Sequence, residues 1–487
     1  MSDLAYETAV NLAKRIRAKE FSSLEVTEYF LNRIDSINHK TNSFVTVTHD
    51  LAIDTAKKLD LLAASGQFKG PLHGVPIAIK DLGDARAGVR STFGSAPMSK
   101  FIADTTTSYV QSLEDSGGVI VGKTNSPEFG HKGITDNYVT GATSTPFDLT
   151  RNSGGSSGGG AAAVAAGMVP LAQGSDGGGS VRIPAAWCGI FAIKPSFGRI
   201  AEISRPNAFA LSSPFVGIGP MARTVRDSSL MLSVMAGTNQ RDPFSLPDEL
   251  QSFAEVSNLD LKKVRIAYSP NMGGFAVEDE IAQTVEKTVK ELEGFGAIVE
   301  IVELNFPCSI FELSLLWKRL MALLYRDAFV SFKNMGYDLL GEHAKTLTPV
   351  FREMLDAVDN QSALETRTDQ YLRTQVYDQI ANIFDKFDFL ISPTLSLSPV
   401  KNLPNGGTSI PKFINGIEIE PSIGWCLTFP INFTGNPAVS IPCGLTKSGL
   451  PIGMQIVGKR HADRALLGIS ATLEKCFPWD STYANLK

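Results

Sequence analysis

Two stretches of glycine and serine set inside apolar sequence restrict this chain more than any other feature. They are Gly154-Gly155-Ser156-Ser157-Gly158-Gly159-Gly160 and Ser175-Asp176-Gly177-Gly178-Gly179-Ser180-Val181-Arg182. Glycine loses more conformational freedom on folding than any other residue. Such a density therefore implies unusual dihedrals or close backbone approach. A flexible linker would also be glycine-rich, but apolar segments flank both runs. Each run sets small hydroxyls among uncovered backbone N–H groups. A loop of this kind can aim several donors at one oxygen, as an oxyanion hole requires. Ala161 to Ala166 reads as a small-residue helix packed beneath the first run.

The chain has 487 residues, enough for a large core, with 43% hydrophobic and 20% charged residues, both ordinary for a globular protein. The net charge is −5 and no Lys/Arg-rich run occurs, which argues against a nucleic-acid partner. No stretch is long and apolar enough to span a bilayer. The first residues, Met1 to Glu7, carry acids and lack a basic n-region and an apolar h-region, so they do not read as a signal peptide. The five cysteines are scattered without a C-x-x-C pair, as expected of thiols in a reducing compartment. The six histidines form no metal-ligand pattern. These features lead to the expectation of a cytoplasmic protein with no metal and no membrane contact.

The N-terminal part, about residues 1–65, reads as helical, with Ser22-Ser23-Leu24-Glu25 as a capping box. Val75 to Ile79 is a buried-strand pattern tipped by Lys80-Asp81. Thr105 to Glu114 reads as a helix, Val119 to Val121 as a strand, and a further helix starts near Thr224. Lys263 to Tyr268, Asp279 to Gly294 and Ala297 to Val302 form a strand–helix–strand unit, which implies parallel pairing. Phe311 to Phe384 is mostly helical. Phe387 to Ile391 is a strand, Pro399 to Pro411 a loop, and Arg464 to Lys475 a final helix. The fold class is α/β.

Three literal motif matches compete with the oxyanion reading. Gly117 to Thr124 fits the P-loop string, but its variable positions include a β-branched strand and Pro127 interrupts the helix that should follow. Gly154 to Gly158 fits G-x-S-x-G, the nucleophile elbow of α/β-hydrolase esterases. Its preceding Phe147 to Asn152 is a poor strand, although His461 is available as a late histidine. Ser398 to Lys401 and Ser409 to Lys412 fit S-x-x-K, but nearby prolines and glycines forbid the helical turn that motif needs.

A serine in these runs needs a base, and no histidine lies between Ser153 and Arg182. His73 sits in a Gly-Pro-Leu-His-Gly turn and suits a structural role. Lys80 ends an apolar strand. Burial there would lower its pKa and leave a neutral amine able to accept a proton. An exposed strand end paired with Asp81 accounts for the same pattern.

At this point the sequence resembles the amidase signature family. The matching segments are Gly70 to Asp81, Gly122 to Gly130, the two glycine–serine runs, Ile183 to Gly189, Lys194 to Arg199, Gly219 to Asp227 and Gly435 to Pro442. The match weakens between about Ser245 and Asp385. The resemblance implies one large domain over residues 1–487, a twisted mixed β-sheet wrapped by α-helices. Residues 66–240 would form the catalytic core, 245–385 a variable helical region on the substrate side, and 386–487 the rest of the core. It also implies a Ser–cis-Ser–Lys triad. Ser180 would be the nucleophile, Ser156 the bridging serine after a cis peptide, and Lys80 the base, with the N–H groups of Gly177, Gly178, Gly179 and Ser180 as oxyanion-hole donors. Asp176 and Arg182 would support that loop.

The reaction so implied is hydrolysis of a carboxamide through an acyl-enzyme, releasing ammonia or an amine and a carboxylate, with no cofactor or metal needed. Lys80 should then point away from Asp81 and toward Ser156. Phe129, Trp317, Tyr325 and Trp425 are expected to line a pocket for an apolar or aryl small-molecule amide, though core packing explains the same aromatics. A homodimer is common among such proteins. Two other readings compete: the glutaminase component of a tRNA-dependent amidotransferase, and a non-catalytic binding protein, against which the intact Lys80, Ser156 and Ser180 set argues.

Overall fold

The computed structural model describes residues 4–486. Eleven strands form one mixed sheet in the order Phe44–Val47, Val119–Thr124, Pro76–Lys80, Leu171–Asp176, Gly217–Ala222, Phe191–Lys194, Ala438–Leu445, Pro451–Gly458, Phe389–Pro393, Arg265–Tyr268, Ile298–Ile301. Helices cover it, so the expected α/β class with a mixed sheet wrapped by helices is what the chain adopts.

The central strands carry near-continuous apolar runs because they are buried on both faces. Every residue of Pro76–Lys80 and of Val119–Thr124 is buried. Pro76–Lys80 runs parallel to both neighbours and pairs Ile77 with Leu171 and Ala78 with Ala172. Parallel pairing brings the C-terminal ends of these strands to one edge, the usual place for a site in an α/β sheet. Lys80 and Ser175 therefore arrive side by side. The helix Gly158–Ala165 is wholly buried against this sheet, as its small residues require. A Cβ at Gly159 would lie 2.3 Å from Asn125 N, so only glycine lets this helix approach so closely.

The capping box at Ser22 and Glu25 forms as read. The strand–helix–strand unit is parallel, and it joins the main sheet through Phe389–Pro393. Two boundaries move for local reasons. The helix expected from Thr105 begins at Ser108, because Thr107 holds extended dihedrals as its N-cap. The strand expected from Lys263 begins at Arg265, because Lys263 has a φ of 68°. The segment before the first glycine run departs more. Asp148–Asn152 is a strand after all, paired with Ser144–Thr145 in a separate ribbon. It also bonds outward, from Arg151 Nη1 to Pro399 O at 2.5 Å and from Asn152 N to Val400 O at 2.8 Å.

The helices Ile310–Asn334, Pro349–Asp356 and Ala363–Ile383 pack through a second apolar cluster rich in aromatic rings. That cluster closes over the sheet edge where Lys80 ends.

Candidate active site

Lys80 is fully buried at the end of its strand. Its backbone N–H donates to Gln173 Oε1 at 3.1 Å, and its Nζ is hydrogen-bonded to Ser156 Oγ at 2.7 Å and Ser175 Oγ at 2.9 Å. Asp81 turns the other way, where its carboxylate accepts from the Thr92 N–H at 2.9 Å and from the Thr92 hydroxyl. Burial is the main influence on Lys80 and lowers it; Asp84 and Asp176 partly oppose this, and the amine is left at about 8. An ordinary lysine is almost wholly charged at neutral pH, whereas this one is neutral in roughly a tenth of molecules at pH 7.

Ser156 follows a cis Gly155–Ser156 peptide. The N–H of Ser157 donates to Ser180 O at 3.0 Å, which ties the two glycine–serine runs together.

The second run is held by a buried ion pair. Arg182 donates to Asp176 through Nη2 at 2.8 Å and Nε at 3.0 Å, with both side chains fully buried. Burial alone would raise the Asp176 carboxyl, but the Arg182 guanidinium, Lys194 and Asn432 overcome it and hold it at about 2. Arg182 also donates to Gln455 Oε1, Asn432 Oδ1 and Thr428 O.

This arrangement revises one of the expected oxyanion donors. The Gly179 N–H donates to Asp176 Oδ1 at 2.7 Å, so it is committed to the ion pair. Gly179 serves the loop through shape: its φ is 123°, and a Cβ there would lie 1.9 Å from Thr428 Oγ1. Among the described residues, the N–H groups of Gly177, Gly178 and Ser180 have no protein acceptor. The free donors are therefore Gly177, Gly178 and Ser180.

Ser156, Ser175, Gly177 and Ser180 open onto one cavity of about 500 Å³. Phe129, Trp317 and Tyr325 line it together with Phe93, Met321 and Leu324. Phe129 adopts a left-handed φ of 47°, a conformation that a bulky side chain keeps only where its surroundings hold it. Its N–H donates to Phe93 O at 2.8 Å, and its ring packs on Phe93, Phe329 and Phe351. The neighbouring Glu128 carboxylate accepts from Ser95 and from the N–H and hydroxyl of Thr348, which ties this loop to the helical cover.

Trp425 does not join this lining. It is 1% exposed, stacks on Trp187 at 4.9 Å and donates from Nε1 to Pro421 O. Its place as a pocket residue is corrected to one in the core behind the site.

A sequence model of the family described as Amidase matches residues 25–467. The chain belongs to the amidase signature family. It is 33% identical to an acylamidase of Rhodococcus erythropolis over 98% of this chain and 97% of that one. It is also 33% identical to a glutamyl-tRNA(Gln) amidotransferase component of Thermosynechococcus vestitus, over 98% of this chain and 99% of that one. The crystal structure of a bacterial aryl acylamidase of this family superposes with a TM-score of 0.95 at 38% identity, covering 98% of each chain. The protein is thus an amidase-family hydrolase with the amidase signature fold.

The competing motifs end elsewhere in this amidase-family fold. Val119–Thr124 lies inside the sheet, so the P-loop string has no loop, and Lys123 Nζ is bonded to Asp84 O. His461 lies in a different cleft with Arg199, Leu246 and Arg464. His73 accepts from the Lys69 N–H at 3.0 Å, a turn contact. Sequence reading passed over Ser175, whose hydroxyl touches Lys80. Its signal was present, since it stands in the second glycine–serine run. Thr428, Asn432 and Gln455 gave no such signal, because they reach the loop from about 250 residues away.

Proposed function

We propose that this hydrolase cleaves the C–N bond of an apolar or aryl carboxamide through an acyl-enzyme on Ser180. The observation that carries this reading is the fully buried Lys80 hydrogen-bonded to Ser156, which opens onto one cavity with Ser180 and with Gly177, whose N–H is unpaired. Neutral Lys80 takes the Ser156 proton while Ser156 takes the proton of Ser180, whose oxygen attacks the amide carbon. The negative oxygen so formed is held by the N–H groups of Gly177, Gly178 and Ser180. An amine leaves only as it gains a proton, and the Ser156–Lys80 relay, now charged, returns one to it. Water then attacks the acyl-enzyme and releases a carboxylate.

The apolar side of the reading rests on Phe93, Phe129, Trp317, Met321 and Leu324 around the cavity, and on likeness to an acylamidase and an aryl acylamidase. The helices between residues 245 and 385 would then be the substrate-side cover. Likeness to the amidotransferase component favours glutamine as the competing substrate. A panel of anilides, alkyl amides and glutamine, read by release of amine or ammonia, tests both. The expected result is turnover of anilides that is lost when a fluorophosphonate labels Ser180. Glutamine as the preferred substrate would overturn the substrate reading.

A further inference from the structure

The peptide units from Asp176 to Ser180 are trans. In a trans peptide the carbonyl and the N–H that follows it point in opposite directions. Every carbonyl of this stretch is pinned. Asp176 O accepts from Asn432 Nδ2 at 3.0 Å, Gly177 O from Trp317 Nε1 at 2.8 Å, Gly178 O from Thr428 Oγ1 at 2.7 Å and Gly179 O from the Ile183 N–H at 2.7 Å. What grips each carbonyl decides where the opposite N–H points.

Trp317 differs from the other pins. Thr428 and Asn432 belong to the short helix Phe429–Asn432 and its N-cap, and Ile183 follows Ser180 on the next helix. Trp317 comes from the helix Ile310–Asn334, which forms the wall of the cavity. Its indole also lies so close to Gly178 that a Cβ there would be 2.9 Å from the ring. The peptide it holds has glycine on both sides, so sterics alone do not prevent it from turning over. Turned over, it would present a carbonyl oxygen where the mechanism needs a donor.

We propose that Trp317 is a positioning residue. By holding the Gly177 carbonyl on its indole it fixes the direction of the opposite Gly178 N–H as a donor to the developing oxyanion, and it couples filling of the apolar cavity to that donor. This rests on the reading of Ser180 as nucleophile.

The test compares Trp317→Phe, which keeps an aromatic wall and removes the donor, with Trp317→His, which keeps a ring N–H. Turnover is expressed per site titrated with fluorophosphonate, so unfolded protein does not count. Two inhibitors are measured: a trifluoromethyl ketone, which places an oxyanion in the hole, and its analogue lacking the carbonyl. Trp317→Phe should lower kcat by about 10- to 100-fold, below the full loss of an oxyanion donor. KM should change far less. Affinity for the ketone should fall in step with kcat while that for the analogue holds, and Trp317→His should recover part of the loss. An unchanged kcat in Trp317→Phe, or equal loss of both inhibitors, overturns the proposal. If Ser180→Ala kept its turnover, the nucleophile reading itself would be lost. A dead Ser180→Ala beside an unaffected Trp317→Phe removes only the role of Trp317.

Discussion

Lys80 Nζ and Ser156 Oγ lie 2.7 Å apart, while Asp81, the next residue along the chain, is turned onto Thr92. The strand thus delivers a lysine without its adjacent counter-charge. An ion pair with Asp81 would have kept the amine charged, and a charged amine has no lone pair to accept a proton.

The pH dependence follows from that separation. Only the neutral form of Lys80 is the base, and its amine is lowered to about 8. In steady-state assays kcat/KM should rise about tenfold per pH unit below that value and level off above it. Replacing Lys80 by Met, which fills the same buried space, should cut acylation by about 10²–10⁴-fold and abolish the rise. A Lys80→Met enzyme with a near-native rate and an unchanged profile would end the case for this base.

Ser180→Ala should reduce turnover below about one thousandth of wild type, as expected for loss of a nucleophile in such a triad. Urea unfolding should show a change of less than about 1 kcal/mol, since the methylene stays and no packing is lost. Substantial kcat in the folded variant would move attention to Ser156.

Asp176→Asn leaves the Arg182 cation buried without its partner. Breaking a buried pair in this way costs about 3–5 kcal/mol, to be read as a lower denaturation midpoint. The pair also predicts acid sensitivity. The Asp176 carboxyl is held at about 2, below its ordinary value. Its contribution to stability is therefore complete above the ordinary carboxylate range and is lost as pH falls through 2. Unfolding curves of wild type and Asp176→Asn should accordingly converge toward low pH.

The aromatic residues should separate into two classes. Trp425→Ala removes a core ring stacked on Trp187 and should cost about 3–5 kcal/mol of stability while the order of preference among amides stays the same. Phe129→Ala changes a wall of the cavity and should raise KM for aryl amides more than for small alkyl amides. A reordered substrate preference in Trp425→Ala, measured on the same amide panel, would contradict this assignment.

Much of the site could be read along the chain because its parts are local. The run Val75 to Lys80 is a buried strand by its apolar pattern, and the glycine density around Ser156 and Ser180 announces close backbone approach before any coordinate is known. The strand–helix–strand unit from Arg265 to Ile301 was equally plain, since a helix of that length between two strands dictates parallel pairing.

The sequence by itself determined the α/β class, the family, and which lysine and serines stand in its signature segments, because periodicity and the signature spacing are properties of the chain. Tertiary structure alone decided how those groups are used. It withdrew the Gly179 N–H from the free donors by giving it to Asp176, since the ion pair with Arg182 exists only once the loop closes. It sent Trp425 to the core and Trp317 to the cavity, although both are tryptophans expected to line the pocket. The places of the two tryptophans depend on contacts between residues more than a hundred positions apart, from Trp317 to Gly177 and from Trp425 to Trp187, and a one-dimensional pattern carries no record of them.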